Sequence, residues 1–271
     1  MSGWLRRLRL AGWLAFGGLL VGSEDFRARV GPPAASHLQG LEAARAACEG
    51  TTGSRRLAAR LALLDGLTGA LADLQQAPAE LLAERGQLLS SLGCDVEALG
   101  DFEQRLAVTP GGNQLREALL DAAQAARRCD RHERASVLYA GFLEQADPGS
   151  AGFGDSEREL REQVRLWLAR SLAKSGRMKQ ARRRLIALAR EATSWSLGIQ
   201  AYDRLARDAI EQADLTAAAG WLSAARARWH ARACALTPEG ERIRGALARM
   251  SATAELRLAV SSRELQRAFG E

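Results

Sequence analysis

Four successive stretches in the middle of the chain share one pattern of small residues. An alanine marks each stretch, and the separations between these alanines are 37, 46 and 37 residues, at Ala98, Ala135, Ala181 and Ala218. A second small residue stands 12 positions before each of them, at Gly86, Ala123, Ala169 and Ala206. Small side chains let two packed helices approach closely, so the pattern predicts antiparallel helix pairs that repeat along the chain.

The composition favours helices and argues against sheets. The 271 residues include 53 Ala and 42 Leu, which are strong helix formers, but only 4 Ile, 7 Val and 8 Thr. Sandwiches, barrels and doubly wound α/β folds need many more β-branched residues, so these classes are excluded. Nucleotide-binding loops usually occur in doubly wound α/β folds, so this kind of binding site is excluded as well. We therefore predict an all-α protein.

The stretch from Ala79 to Pro110 shows the pattern most completely. It holds two leucines around a small residue, a turn glycine, an alanine, an aromatic residue and a closing proline, at Leu82, Gly86, Leu89, Gly93, Ala98, Phe102 and Pro110. This pattern resembles the tetratricopeptide repeat, whose ideal period is about 34 residues. The resemblance spans residues 79–230 and implies antiparallel helix pairs stacked as a right-handed α-solenoid. A generic antiparallel helix array is the alternative fold. The longest interval between the alanines, 46 residues, is explained by a turn-forming insertion at residues 147–155.

Helices are also expected on both sides of the repeats. Residues 37–78 predict an N-terminal helix pair, whose second helix carries leucines at three- and four-residue spacing from Ser54 to Gln76. Residues 231–271 predict C-terminal capping helices that cover the last repeat. One is expected from Thr237 to Met250 and another from Ser251 to Phe269.

Residues 1–23 carry the features of an export signal. Three arginines and no acid precede an uncharged apolar run at Leu10–Gly22, and Ser23 follows it. A basic start, a short apolar run and a small-residue exit describe a cleaved secretory signal peptide. An uncleaved signal anchor and a buried helix are the alternatives, although a bilayer span takes roughly 20 apolar residues. Residues 24–36 (EDFRARVGPPAAS) are expected to form a linker.

This N-terminal pattern predicts an exported protein, periplasmic or in the cell envelope, or one anchored to the inner membrane. Removal of residues 1–23 would lower the formal charge from +6 to +3, because three arginines and no acids would be lost. Arginine outnumbers lysine 36 to 2, as GC-rich coding would produce, and no aromatic stacking set or nucleic-acid motif accompanies it. No nucleic-acid partner is predicted.

The sequence holds no recognisable catalytic, cofactor or metal motif. No second His or carboxylate stands at metal-ligand spacing from any of the histidines, and no GxSxG, Walker or GxGxxG pattern is present. The four cysteines form no CxxC pattern. Cys94 and Cys129 fall near the turns of consecutive stretches, so they are the candidate disulfide pair of an exported protein, with buried thiols as the alternative. No catalytic residue, metal or cofactor is predicted.

The tetratricopeptide resemblance implies a concave groove, lined by the first helix of each pair, that takes an extended peptide or a partner helix. By helical periodicity the groove positions are polar or basic: Gln87, Ser90, Ser91, Gln124, Arg127, Arg128, Arg170, Lys174 and Arg207. Arginine forks suit carboxylates, so an acidic or C-terminal peptide is expected there, with a solvated basic face as the alternative. The family's carboxylate clamp of Lys and Asn is not matched.

Two further features lie away from the groove positions. Arg182–Arg184 falls in a second helix, so these arginines are expected to point outward, either solvated or against anionic lipid headgroups. Trp221 and Trp229 share nearly one helical face. They are expected to pack the last repeat against the C-terminal helices, or to form a hot spot for a partner.

These patterns favour a non-catalytic, exported scaffold that binds a protein or peptide partner in its groove, within a cell-envelope assembly. A membrane-anchored subunit of a bacterial membrane complex, held by an uncleaved N-terminal helix, is the first alternative. An enzyme with dispersed active-site residues is the second.

Overall fold

The computed structural model describes residues 32–50, 52–72, 74, 76–145, 154–235 and 237–269. The predicted signal segment and the first part of the predicted linker lie outside these residues, as does most of the predicted insertion at residues 147–155.

The described residues form helices and connecting turns, with no strand among them. The eleven helices described are α1 (Pro32–Gly50), α2 (Gly53–Ala72), α3 (Ala79–Ser91), α4 (Asp95–Val108), α5 (Gly112–Arg128), α6 (His132–Gln145), α7 (Asp155–Lys174), α8 (Met178–Glu191), α9 (Trp195–Glu211), α10 (Leu215–Cys234) and α11 (Pro238–Phe269). The predicted all-α class is confirmed. The chain divides into two compact units, Met1–Cys129 and Asp130–Glu271.

In the first unit each helix packs against the next, from α1 to α5. The core between α1, α2 and α3 holds Leu41, Leu67 and Leu81, all nearly inaccessible to solvent. Further along, Phe102 of α4 fills the space left by Gly86 of α3. Leucine and alanine therefore supply most of this core, as the composition predicts.

Two ion pairs also tie successive helices of the first unit together. Arg85 of α3 donates two hydrogen bonds to Asp101 of α4, at 2.6 and 2.8 Å. Arg105 of α4 donates to Asp121 of α5 at 3.0 Å. Asp101 and Arg105 are themselves buried, so each pair satisfies a charge that would otherwise be costly inside the unit.

The second unit is built around one large core that joins α7 to α11. Leu166, Leu185 and Leu205 contribute to it from three successive helices, together with Trp229 and Ile243. Trp229 is buried and Trp221 is packed against the same core. The prediction that these tryptophans pack the last repeat against the C-terminal part is therefore confirmed.

The four predicted alanines occupy equivalent buried positions. Ala98, Ala135, Ala181 and Ala218 are all at most 2% exposed. Five residues before each alanine, the backbone enters the left-handed region, at Gly93, Asp130, Gly176 and Ala213. Three of these turns close in the same way, because Cys94, Arg177 and Asp214 each donate a backbone hydrogen bond to a carbonyl five residues earlier. The spacing of the four alanines in the sequence thus matches the spacing of the turns that join the paired helices.

Some predicted boundaries differ from the structure. α1 begins at Pro32 rather than His37, since proline suits the first helical position, so the predicted linker ends earlier. α2 ends at Ala72 rather than Gln76.

The C-terminal region also differs from its prediction. Instead of two helices divided at Ser251, it forms the single helix α11, which packs on α9 and α10. Ser251 continues this helix by donating its hydroxyl to the Leu247 carbonyl four residues earlier, and it accepts a hydrogen bond from Arg226.

None of the helices in the described ranges is both long enough and apolar enough to cross a membrane.

Candidate functional site

Three of the predicted groove residues, Arg170, Lys174 and Arg207, lie on α7 and α9 of the second unit. Residues four, three and four apart share one side of α7, and a similar spacing holds on α9. We call the following set the α7/α9 face: Gln163, Trp167, Arg170 and Lys174 on α7, with Gln200, Asp203 and Arg207 on α9.

The Glu162 carboxylate holds the start of α9 against α7. It accepts hydrogen bonds from the Thr193 backbone N–H at 2.7 Å, the Thr193 hydroxyl at 2.8 Å and the Ser194 N–H at 3.0 Å. Ser194 is the N-cap of α9 and its own side chain makes no capping hydrogen bond. Glu162 of the neighbouring helix therefore supplies the negative charge that a helix N-terminus favours.

Arg170 and Gln200 meet across the α7/α9 face. Arg170 Nη2 donates to Gln200 Oε1 at 3.1 Å. Gln200 Nε2 lies 3.4 Å from Ser196 Oγ on the same helix, within hydrogen-bonding distance. The hydrogen bond to Arg170 orients the amide of Gln200 and links the two helices side by side.

Two other members of the α7/α9 face differ in their surroundings. Lys174 ends α7 with an exposed ammonium, and no ion pair joins it to any residue that the structure describes. Trp167 is half-buried, and its ring centroid lies 5.8 Å from that of Tyr139. The face therefore combines an exposed cation with an aromatic side chain held in place.

The arginines of α9 are paired with acids of their own helix. Arg207 Nη2 lies 2.8 Å from Asp203 Oδ2. Arg204 Nε lies 2.9 Å from Asp208 Oδ1, an ion pair that lacks hydrogen-bond geometry. Asp208 is only 6% exposed, and this burial raises the pKa of its carboxyl, against the opposing effect of Arg204. Arg207 is thus less available to a ligand than its position alone predicts.

The predicted groove residues of the first unit form a separate cluster. Arg128 Nε lies 2.5 Å from Asp95 Oδ1, and Arg128 Nη2 donates to Ser90 Oγ at 2.5 Å. Ser90 Oγ in turn donates to Asp95 Oδ1 at 3.1 Å. The structure brings Ser90 and Arg128 together as predicted, but around the carboxylate of Asp95, which the sequence analysis does not include.

The remaining groove predictions of this unit are not partners in the hydrogen bonds among Ser90, Asp95 and Arg128. Gln87, Gln124 and Arg127 are each half-buried. Gln124 Nε2 finds no hydrogen-bond acceptor among the described residues. Ser91, which is exposed, donates its hydroxyl to the Leu88 carbonyl and so closes the end of α3.

The cysteines and histidines do not assemble into a site in the described part of the chain. Cys94 is exposed and Cys129 is half-buried, and their disulfide pairing stays a prediction. His132 Nε2 lies 3.3 Å from Asp130 Oδ1, and His230 lies beside Cys234 on α10. No group of three or more His, Cys, Asp and Glu side chains is placed to hold a metal ion among the residues described.

Comparison with known proteins gives structural matches alone. No family model matches the chain, and no curated protein matches it significantly. A kinesin light chain protein from Podospora anserina with nearly identical TPR-like repeats superposes with a TM-score of 0.51 at 16% identity, over 73% of this chain and 96% of that one. MamA of MSR-1 superposes with a TM-score of 0.47 at 14% identity, over 69% of this chain and 91% of that one. YrrB, a TPR protein with an unusual peptide-binding site, gives 0.41 at 15% identity, over 73% and 99%.

The kinesin light chain match supports the repeat fold, and the buried alanines with their left-handed turns supply the register. The chain is built from degenerate tetratricopeptide-like repeats. In these terms α3, α7 and α9 are first helices of TPR-like pairs, and α4, α8 and α10 are second helices.

Several residues that form or support the α7/α9 face were not among those predicted from the sequence. Gln200 and Asp203 lie one turn apart on α9 in a first helix, so the same periodicity that selects Arg207 also indicates them. Glu162 precedes its partners by about thirty residues and has no local sequence signal, since such pairing depends on how the helices stack.

Proposed function

We propose that the protein is a non-catalytic scaffold that binds an acidic protein segment on the α7/α9 face. The observation that carries this proposal is the hydrogen bond from Arg170 to Gln200, which joins the first helices of two adjacent TPR-like pairs. A polar surface that continues from one repeat to the next suits an extended peptide or a partner helix, which needs contacts along its length.

The charges on this surface support an acidic partner. Arg170 and Lys174 stand four residues apart on α7, so their cationic groups lie on the same side of the helix. A carboxylate between them can accept hydrogen bonds from both, and charge-assisted hydrogen bonds of this kind are stronger than neutral ones. Gln200 adds an amide beside them that is suited to a peptide backbone.

The cluster in the first unit is a weaker candidate for the same role. Arg128 already lies 2.5 Å from the Asp95 carboxylate and also donates to Ser90. A ligand carboxylate would have to displace Asp95, which stands in the first turn of α4 where the helix favours a negative charge. We therefore place the main contact on the second unit.

We also propose that the protein acts in the cell envelope, as part of an assembly there. The basic start and apolar run of residues 1–23 support export. N-terminal sequencing of the protein purified from its host tests this step. A start near Glu24 supports a cleaved signal, and an intact Met1 in the membrane fraction supports the anchored alternative. An intact Met1 in the soluble cell extract contradicts both.

Affinity purification after chemical crosslinking in the host tests the binding proposal. The test variant is Arg170→Glu with Lys174→Glu, and the matched control is Arg242→Glu with Arg249→Glu, two exposed arginines of α11. The proposal predicts that partners captured by the wild type are retained by the control and lost by the test variant. Equal capture by both variants overturns it.

A further inference from the structure

The longest run of one charge sign in the chain begins on α7 and continues past the α7/α9 face through α8. Residues 163–190 contain nine basic side chains and no acid, and both lysines of the protein fall within them. Seven of the nine follow Leu172, in the end of α7, the turn and α8. Such a bias is absent from the rest of α7, where Glu157, Glu159 and Glu162 are interspersed with arginines.

Most of these cations have no partner in the structure. We call Arg177, Lys179, Arg183, Arg184 and Arg190 the α8 basic surface; all five are exposed. No side-chain hydrogen bond or ion pair joins them to any residue in the described part of the chain. Arg182 differs, because it acts electrostatically on Asp208 of α9.

The outermost line of this surface points directly away from the core. Lys179, Arg183 and Arg190 fall within about 40° of one another around the helix axis, at 3.6 residues per turn. The residues on the opposite side, Ala181 and Leu185 among them, are buried. The surface from Arg177 to Arg190 extends along the helix for about 20 Å.

The fold gains nothing from positive charges at the start of α8, although Arg190 in its last turn suits the helix dipole. Arg177 is the N-cap of α8 and Lys179 lies in its first turn, which contains no acid, although a helix N-terminus disfavours cations. Lys179 and Arg183 are four residues apart, where two like charges repel. Cations placed against the preference of the helix indicate a role in binding.

We propose that the α8 basic surface docks on an anionic lipid bilayer. A bilayer presents many negative headgroups in a plane, which complements an extended line of flexible cations on the outer side of a helix. The predicted export of the protein would bring it to such a surface, but vesicle binding can be tested independently of that proposal.

Vesicle co-sedimentation of the full chain tests this proposal. Binding to phosphatidylcholine vesicles is compared with binding to vesicles that contain about 30% phosphatidylglycerol, at about 50 and about 500 mM NaCl. The test variant is Lys179→Glu, Arg183→Glu and Arg190→Glu. The matched control is Arg131→Glu, Arg242→Glu and Arg249→Glu, which changes the net charge equally at exposed positions just before α6 and on α11.

We expect the wild type and the control to bind the anionic vesicles at least tenfold more tightly than the neutral ones, and to lose this preference at high salt. The test variant should lose the preference at both salt concentrations. Equal binding to both vesicle types, an unchanged test variant, or an equal loss in the control overturns the proposal. A test variant that loses binding to RNA or polyglutamate but keeps the vesicle preference of the wild type also overturns it.

A folding control separates docking from structure. Lys179→Glu places a favourable acid in the first turn of α8 and Arg190→Glu an unfavourable one in the last turn, so the Tm of the test variant should stay close to that of the wild type. If the charge-reversed protein does not fold, the neutral variant Lys179→Gln, Arg183→Gln and Arg190→Gln takes its place, with the same expected loss of preference.

Discussion

Gly86 of α3 packs directly against the ring of Phe102 of α4. A Cβ placed on Gly86 would lie 2.7 Å from Phe102 Cε1, and the ring itself is 2% exposed. Contact this close requires the ring to move if any side chain is added, and a buried ring has little room to do so. The first helix pair of the TPR-like repeats therefore depends on a glycine that helix propensity alone would disfavour.

Gly86→Ala should destabilise the protein. The gain in helix propensity is about 1 kcal/mol, while overpacking a filled core costs about 1–3 kcal/mol, so we expect a net loss of up to about 2 kcal/mol in the free energy of unfolding. Urea unfolding followed by circular dichroism measures it. Gly100→Ala on α4, where an added Cβ meets nothing within 4 Å, is the matched control and should stabilise by about 0.5–1 kcal/mol. Equal effects of the two substitutions would contradict the close contact.

Glu162 should be important for the stability of the second unit. Glu162→Ala leaves the N–H groups of Thr193 and Ser194 without their acceptor, at an expected cost of about 2–3 kcal/mol. Glu162→Gln retains an acceptor oxygen but loses the charge at the start of α9, so its cost should be smaller. Glu159→Ala, an exposed neighbour on α7, should change the free energy of unfolding by less than about 0.5 kcal/mol. A Glu162→Ala protein as stable as this control would show that the capping contact does not form.

Asp208 should make stability depend on pH in an unusual direction. Burial raises the pKa of its carboxyl in the folded protein, so between the usual aspartate pKa and the raised value the folded state binds more protons than the unfolded state. The Asp208 contribution to stability is therefore greatest at low pH and decreases as pH rises through that window. Asp208→Asn should unfold at higher urea than the wild type at neutral pH, and the difference should disappear on acidification. A variant that is less stable at neutral pH would show that the pair with Arg204 outweighs the burial.

The thiols should react according to their exposure. Cys94 and Cys234 are exposed, whereas Cys48 is half-buried and its pKa is raised by burial, which disfavours the reactive thiolate. Brief alkylation of the native protein followed by peptide mass spectrometry should label Cys94 and Cys234 before Cys48. A peptide that joins Cys94 to Cys129 by a disulfide would confirm the predicted pairing and would remove Cys94 from the labelled set.

The sequence predicts the fold better than it predicts the site, and the reason is physical. The buried alanines at 98, 135, 181 and 218 keep their register because a small residue is required wherever two helices approach closely. The sequence predicts two helices in place of α11, because a serine such as Ser251 can either end a helix or lie within one. Only in the folded helix does the Ser251 hydroxyl donate its hydrogen bond to the Leu247 carbonyl.

The partners of the charged side chains in the candidate site could not be predicted from the sequence. Periodicity placed Arg128, Arg170 and Arg207 on first helices, but it did not show that Arg128 pairs with Asp95 or Arg207 with Asp203. Those pairings depend on distances between turns that one sequence does not contain. They also decide which cation is available: Lys174 is exposed, and no ion pair joins it to a residue that the structure describes.

Carbodiimide crosslinking tests binding at the α7/α9 face most directly. It joins a lysine amine to a carboxylate in contact with it, and the only two lysines of the chain are Lys174 and Lys179, one in this face and one in the α8 basic surface. We predict that the crosslinks formed by lysines of this chain to its partner in host extracts join Lys174 to an Asp, Glu or C-terminal carboxylate, and that Lys174→Arg, which keeps the charge, removes them. Lysine crosslinks to the partner from Lys179 alone would contradict binding at the α7/α9 face.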